Sequence, residues 1–441
     1  MTVVFFIIGM AVILVGLAVS IALHEIGHLA PAKLFKVRVG QYMIGFGPTI
    51  WSRRFGETEY GFKLLPLGGY ISMAGMYPPS PKGSGTGRAG AGFFATMVQD
   101  ARAANDETLD GSEDRTFYAL ATWKRIIVML GGPVMNLILA IVLFTIVFSG
   151  FGVQTATTTL ASVSQCVQQS DVAGNTCAPS DPVAPAAQAG LQPGDTILSI
   201  GGTAVHEFSD VSAIIAASAG KQLDVEIRRG GAEQTVHLTP LLTERPVVGS
   251  DGNVETNSDG TAKTQPAGFI GVVAQTAMVP QPLWAGPQQA FNNVGAVAGV
   301  MVQLPQKLYG TAVSLFTGAE RDPDGPISPV GVGVIAGEVA ASDAPLASRV
   351  AGMLSLVASL NVALFVFNLI PLLPLDGGHV AVALWDGLKR TWAKLLRRPA
   401  PKPVDATKLV PVTFVVVVLL IAMGALLVVT DVVNPISILG G

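Results

Sequence analysis

Four stretches of this chain, residues 3–23, 126–151, 350–375 and 409–430, contain no Lys, Arg, Asp or Glu. A helix that crosses a bilayer needs about 20 apolar residues in a row, and every stretch is long enough. Lipid rather than water is therefore the solvent for much of the fold. Charged residues make up 13% of the 441, about half the share of a soluble domain. A net charge of -3 offers no basic surface for nucleic acid, which is excluded as a partner. The first stretch lacks the basic start and small-residue cleavage site of a secretory leader, so it is read as retained.

Four spans put both termini on one side of the membrane, with three connections between them. The third carries Lys389, Arg390, Lys394, Arg397, Arg398, Lys402 and Lys408 close to two membrane ends, which places it in the cytoplasm. The first follows it, with Lys33, Lys36, Arg38, Lys124 and Arg125 near its helix ends. The middle connection, the longest and most acidic, then lies outside with both termini. It holds Cys166 and Cys177, which either form a single bridge there or stay as two thiols.

Between the spans, residues 37–76 alternate apolar and polar side chains between glycines and predict a small membrane-associated sheet on the cytoplasmic side. Residues 77–116 are rich in Gly, Ser, Pro, Ala and Asp and read as a flexible insert without chemistry. Residues 186–240 read as turn, strand, turn, helix and a strand pair, and 246–265 as a linker. A fifth span at 291–304 is too short, so an amphipathic or interfacial helix is expected there.

The chemistry concentrates where the first apolar stretch ends, in His24-Glu25-Ile-Gly-His28. On a helix, positions i and i+4 share a face, so both imidazoles reach one ion while Glu25 points at a water on it. Random placement of five His and twelve Glu gives about 0.0015 such patterns. A charged Glu in an apolar run is costly without an ion or polar cavity beside it. A catalytic zinc takes three protein ligands. The third apolar stretch ends Asn368-Leu-Ile-Pro371-Leu-Leu-Pro374-Leu-Asp376-Gly-Gly-His379. Its prolines break the helix, and Asp376 then presents a carboxylate at the same side of the membrane as His24 and His28. His379 reads equally as a partner of the ligands or as a surface histidine.

These motifs, with GFGP at 45–48, PLGGY at 66–70, WKR and GGPVMN within 123–136, a Gly190-Leu-Gln-Pro-Gly-Asp195 turn and GPISPVG at 325–331, resemble the site-2 proteases. Within that family the chain is similar to RseP-like members of actinobacterial and Gram-positive type, which carry a single PDZ-like module. The resemblance implies an α-helical polytopic membrane protein of four transmembrane helices, the small sheet, and one extracytoplasmic PDZ-like α+β domain, in a bacterial plasma membrane. It implies one Zn2+ per chain held by His24, His28 and Asp376, with Glu25 as general base and Asn368 near the scissile carbonyl. Gly45, Gly68, Gly69, Pro371 and Pro374 would bind substrate. The partners would be the lipid bilayer and single-pass transmembrane substrates trimmed first by another protease, such as anti-sigma factors or remnant signal peptides. A catalytically inactive PDZ-bearing scaffold and an ion transporter using the same polar residues are the rival readings. The expected divisions are a first membrane helix (1–36), the sheet (37–76), the insert (77–116), a second helix (123–151), the PDZ-like domain (155–245), a linker (246–267) and a segment of amphipathic helices (268–349). A third membrane segment (350–386), a basic loop (387–408) and a fourth helix (409–431) complete the chain.

Overall fold

The computed structural model describes residues 2–77, 93–109, 113–167, 177, 181–247, 254–257, 261–319, 321–322, 325–399, 401 and 404–436. In chain order, α1 (Thr2–Leu34), β1 (Val39–Phe55), β2 (Thr58–Met73), α2 (Phe93–Leu109) and α3 (Thr122–Thr145) come first. Next are β3 (Val153–Val163), α4 (Pro185–Gln188), β4 (Thr196–Ile200), β5 (Thr203–Ala204), α5 (Phe208–Ala216), β6 (Leu223–Arg229) and β7 (Ala232–Leu238). The strands β8 (Leu241–Pro246), β9 (Thr264–Phe269) and β10 (Val272–Val279) precede α6 (Ala285–Thr317), α7 (Pro329–Ala341), α8 (Leu346–Asn368), α9 (Asp376–Leu395) and α10 (Val410–Val433). Two compact units result: Met1–Phe151 with Pro282–Gly441, and Gly152–Gln281.

In the first unit, Val3–Leu34, Thr122–Phe151, Leu346–Asn368 and Ala406–Val433 are long and apolar enough to cross a membrane, matching the four charge-free stretches. Val3, Ile7, Leu14 and Val15 on α1 and Val415, Leu419 and Ile421 on α10 face outward. A continuous apolar surface of that extent belongs in lipid. Small residues let α1 and α3 meet backbone to backbone, as helices do where no water drives them together. A Cβ on Gly27 would stand 2.2 Å from the Gly131 carbonyl oxygen, and one on Gly131 would stand 1.9 Å from that of Gly27. Only glycine at both positions permits this crossing.

The hairpin of β1 and β2 folds back on itself. Residues 39–44 pair with 69–73 on one side and 41–44 with 59–62 on the other, while 51–55 pair with 58–62. Gly45 turns the chain at φ +94°, and a Cβ there would meet the Leu65 carbonyl at 2.7 Å. Val37, Val39, Tyr42, Ile44 and Met73 pack against Leu29 and Ala32 of α1 and Val128 and Met129 of α3. The Tyr42 hydroxyl donates to the Ala22 carbonyl at 2.8 Å, fixing the sheet two residues before His24.

At the far end, Arg321 and Asp431 form a buried ion pair at 2.6 Å. Asp431 also accepts from the Ser328 backbone N–H at 2.6 Å, and the Ser328 side chain caps α7. The GPISPVG motif thus ties the start of α7 to the end of α10.

The second unit centres on a six-stranded sheet with path β10-β3-β4-β6-β7, β5 pairing with β4. Leu160, Leu191, Ile197, Ile200, Val211, Ile215, Val225 and Ile227 fill its core. Asp195 of the Gln-Pro-Gly-Asp turn is buried; both its oxygens accept from Arg229, at 2.7 and 2.6 Å, and one accepts from the Gln192 N–H. Cys166 and Cys177 are joined as a disulfide.

Three expectations differ from the structure. The domain expected at 155–245 extends to Gln281, because β9 pairs with β8 across the expected linker and β10 pairs with β3. These strands are largely exposed and so lack a clear apolar alternation. Of the insert expected at 77–116, residues 78–92 and 110–112 lie outside the described residues, but 93–109 form α2. Its Arg102 pairs with Asp405, and its Asn105 exchanges hydrogen bonds with Tyr77. The basic loop expected from 387 begins inside α9, which runs on to Leu395.

Candidate metal centre and active site

His24 and His28 lie one helical turn apart on α1, and Asp376 is the first residue of α9. The His24 and His28 Nε2 atoms are 3.1 Å apart, and each lies 3.3 Å from Asp376 Oδ2. Among the described residues this is the only group of three His, Cys, Asp or Glu side chains placed to hold a metal ion. Asp376 Oδ2 is buried and receives no hydrogen bond. A tetrahedral zinc with bonds of about 2.0–2.1 Å sets its ligand atoms roughly 3.3 Å apart. The three observed separations match that edge length, and a cation is what three converging acceptors require.

The surroundings orient each candidate ligand. His28 Nδ1 donates to the Val128 carbonyl oxygen at 2.7 Å, which leaves Nε2 free to ligate. His24 Nδ1 lies 3.1 Å from the side-chain amide of Asn136, a fully buried residue two turns further along α3. Gly132 makes room for the His28 ring beside α3, since a Cβ there would stand 2.2 Å from His28 Nε2. On the other side, Gly377 and Gly378 let the 369–373 backbone fold against the start of α9; a Cβ on either would meet backbone atoms at 2.4 and 2.5 Å. That fold holds Asp376 in place.

Glu25 is 8% exposed and sits beside the edge run 69–73 of the sheet. A Cβ on Gly69 would approach Glu25 Cγ to 2.9 Å, so this glycine lets the edge lie against the general-base candidate. Gly68 gives room to the Phe46 ring, and Gly45 serves the turn described above. Pro371 and Pro374 are exposed in the loop between α8 and α9. Asn368 is the last residue of α8, and its side chain makes no hydrogen bond among the described residues. His379 is partly buried, its ring stacked on Tyr77 with centroids 6.4 Å apart. With Tyr77, Tyr118 and Arg125 it lines a small cavity rather than the open surface. The roles of Val128 and Asn136 were not readable from the sequence: one acts through its backbone, and the other is a polar residue in an apolar run whose partner is 112 positions away.

Apolar helices enclosing a His-His-Asp cluster with an adjacent glutamate define a membrane metallopeptidase. The family comparison agrees, with residues 12–400 matching Peptidase family M50, the site-2 proteases, and the chain belongs to that family. It is 32% identical over 442 residues to the zinc metalloprotease Rip1 of Mycobacterium tuberculosis, covering 98% of this chain and 99% of that one. It is 33% identical over 449 residues to Rip1 of Mycolicibacterium smegmatis, covering 98% of both chains. The metalloprotease MmpA of Caulobacter vibrioides is 28% identical over 403 residues, covering 87% of this chain and 88% of MmpA. The protein is a metalloprotease with several membrane spans.

Proposed function

We propose that this protease cuts single-pass membrane proteins inside the bilayer, as the second cleavage of regulated intramembrane proteolysis, on substrates already trimmed by another protease. The observation that carries the reading is the convergence of His24 Nε2, His28 Nε2 and Asp376 Oδ2 within helices that otherwise suit lipid. His24, His28 and Asp376 would hold zinc, which when bound lowers the pKa of a coordinated water and polarises a peptide carbonyl. Glu25 takes the proton from the attacking water and returns it to the leaving amine. Asn368 anchors the substrate backbone or its developing oxyanion.

A transmembrane substrate hides its carbonyls in helical hydrogen bonds and must unwind before attack. The run 69–73 offers a strand edge beside Glu25 on which an unwound segment can be held, with Pro371 and Pro374 on the loop that leads to Asp376. We read Gly152–Gln281 as the PDZ-like module that admits or excludes substrates, and we place it outside the cytoplasm. Two independent features support that side: the Cys166–Cys177 disulfide, which persists in oxidising compartments, and the seven basic residues of 389–408 near opposite membrane ends. Anti-sigma factors and remnant signal peptides are the proposed substrate classes.

The test is a Glu25→Gln variant assayed on a model transmembrane substrate. It should retain about one zinc per chain and lose at least ~100-fold in cleavage rate. Unaltered cleavage would remove Glu25 from its role, and loss of zinc together with activity would make it a ligand.

A further inference from the structure

One surface of the first unit is left unexplained by proteolysis. Helix α9 turns Ala383 and Asp386 inward, where Asp386 meets Arg125 of α3 at 3.2 Å and Gly387 lies against Thr122, the first residue of α3. The opposite face carries Leu384, Trp385, Leu388, Trp392, Leu395 and Leu396, exposed by 45% to 74%. At 100° per residue these six side chains fall within about a third of the helix circumference, pointing away from the protein over roughly 18 Å. Four cations of the same segment, Arg390, Lys394, Arg397 and Arg398, are exposed and have no acidic partner among the described residues. The only acid between residues 384 and 398 is the buried Asp386. Arg397 occupies a left-handed position, φ +52°, just past the helix end, where glycine fits without strain. A cationic side chain is kept there at a conformational cost.

We propose that α9 is an interfacial helix that binds the headgroup layer of an anionic lipid leaflet. The stripe is too exposed for water, and its two tryptophans suit the boundary between headgroups and acyl chains. Arg397 and Arg398 directly follow the last residue of the stripe, while Arg390 and Lys394 stand on the opposite, headgroup-facing side of a helix lying in the interface, from where their long stems reach phosphates. The helix passes the start of α3, where Trp123 and Ile127 also face outward, so the stripe lies at the end of a membrane-crossing segment. Negative headgroups supply the charge complement that a plain apolar partner would lack. Because Asp376 is the first residue of this helix, lipid contact and the metal-ligand candidate share one rigid element.

The test uses the full-length protein with Trp51, Trp123 and Trp284 replaced by Phe, reconstituted in phosphatidylcholine vesicles containing phosphatidylglycerol. Bromine is placed on the acyl chains of one lipid or the other at equal mole fraction, and quenching of Trp385 and Trp392 is read. Brominated phosphatidylglycerol should quench more strongly, and the combined variant Arg390→Gln, Lys394→Gln, Arg397→Gln, Arg398→Gln should erase the difference. Equal quenching by both lipids in the unsubstituted helix would overturn the proposal. So would the absence of quenching by either, which would mean that protein, a partner or a second copy, covers the stripe. The readout involves no cleavage, so its failure leaves the proteolytic reading standing, and an inactive enzyme leaves this one standing.

Discussion

Tautomers decide whether two histidines can share an ion. Each must present a bare nitrogen to the centre and therefore carry its proton on the other. The Val128 carbonyl enforces this for His28. For His24 the partner is Asn136, whose Oδ1 is buried without a hydrogen bond while its amide nitrogen faces His24 Nδ1. Turning the amide over places the acceptor on the proton that zinc binding requires. Asn136→Leu should therefore weaken zinc binding by about 10- to 100-fold while leaving the fold intact. Asn136→Asp, which keeps an acceptor, should retain most of the affinity; competition with a graded series of chelators measures both. The motif around Asn136 could be picked out in the sequence, but this role could not, because a hydrogen bond across two helices leaves no local pattern.

At the level of elements, the long apolar runs were legible because a membrane helix is specified by local composition alone. Helix α9 was not, since its Asp, Lys and Arg residues masked a Leu and Trp spacing that makes sense only once a lipid-facing side is known. Strands β9 and β10 were obscured for the complementary reason, being too exposed to alternate regularly. The turn at Asp195 illustrates a motif whose physics is now visible. Arg229, through two hydrogen bonds, holds the Asp195 carboxyl below its ordinary range. A carboxylate with a depressed folded-state pKa stabilises the fold above its unfolded value, near 3.9, and that contribution fades as pH falls toward the folded value. Protection of the β4 and β6 amides in the intact protein, taken as their exchange rate relative to the intrinsic rate at each pH, should accordingly fall below about pH 4. At neutral pH, Arg229→Met, which leaves Asp195 buried and unpaired, should cost this unit about 3 kcal/mol, measured by the same exchange.

For the molecule as a whole, the assignment of sides rests on charge and on one disulfide. Reporters that fluoresce or hydrolyse substrate on only one side of the membrane check it directly. A fusion after Gly152 should be active outside and one near Arg397 inside. Thiol labelling of Cys166 and Cys177 in intact cells should require prior reduction. The opposite pattern of reporters would invert the proposed arrangement while leaving the His-His-Asp cluster untouched.

The cluster joins residues roughly 350 positions apart, His24 near one end of the chain and Asp376 near the other. At about 5–20 residues per second, a ribosome needs on the order of 20 to 70 s to pass from the first to the last of them. Throughout that interval the histidine pair is already embedded among lipids without its carboxylate. With the carboxylate needed as proposed, a newly made copy is born harmless to the other proteins entering the same membrane, and one terminated before Asp376 stays so.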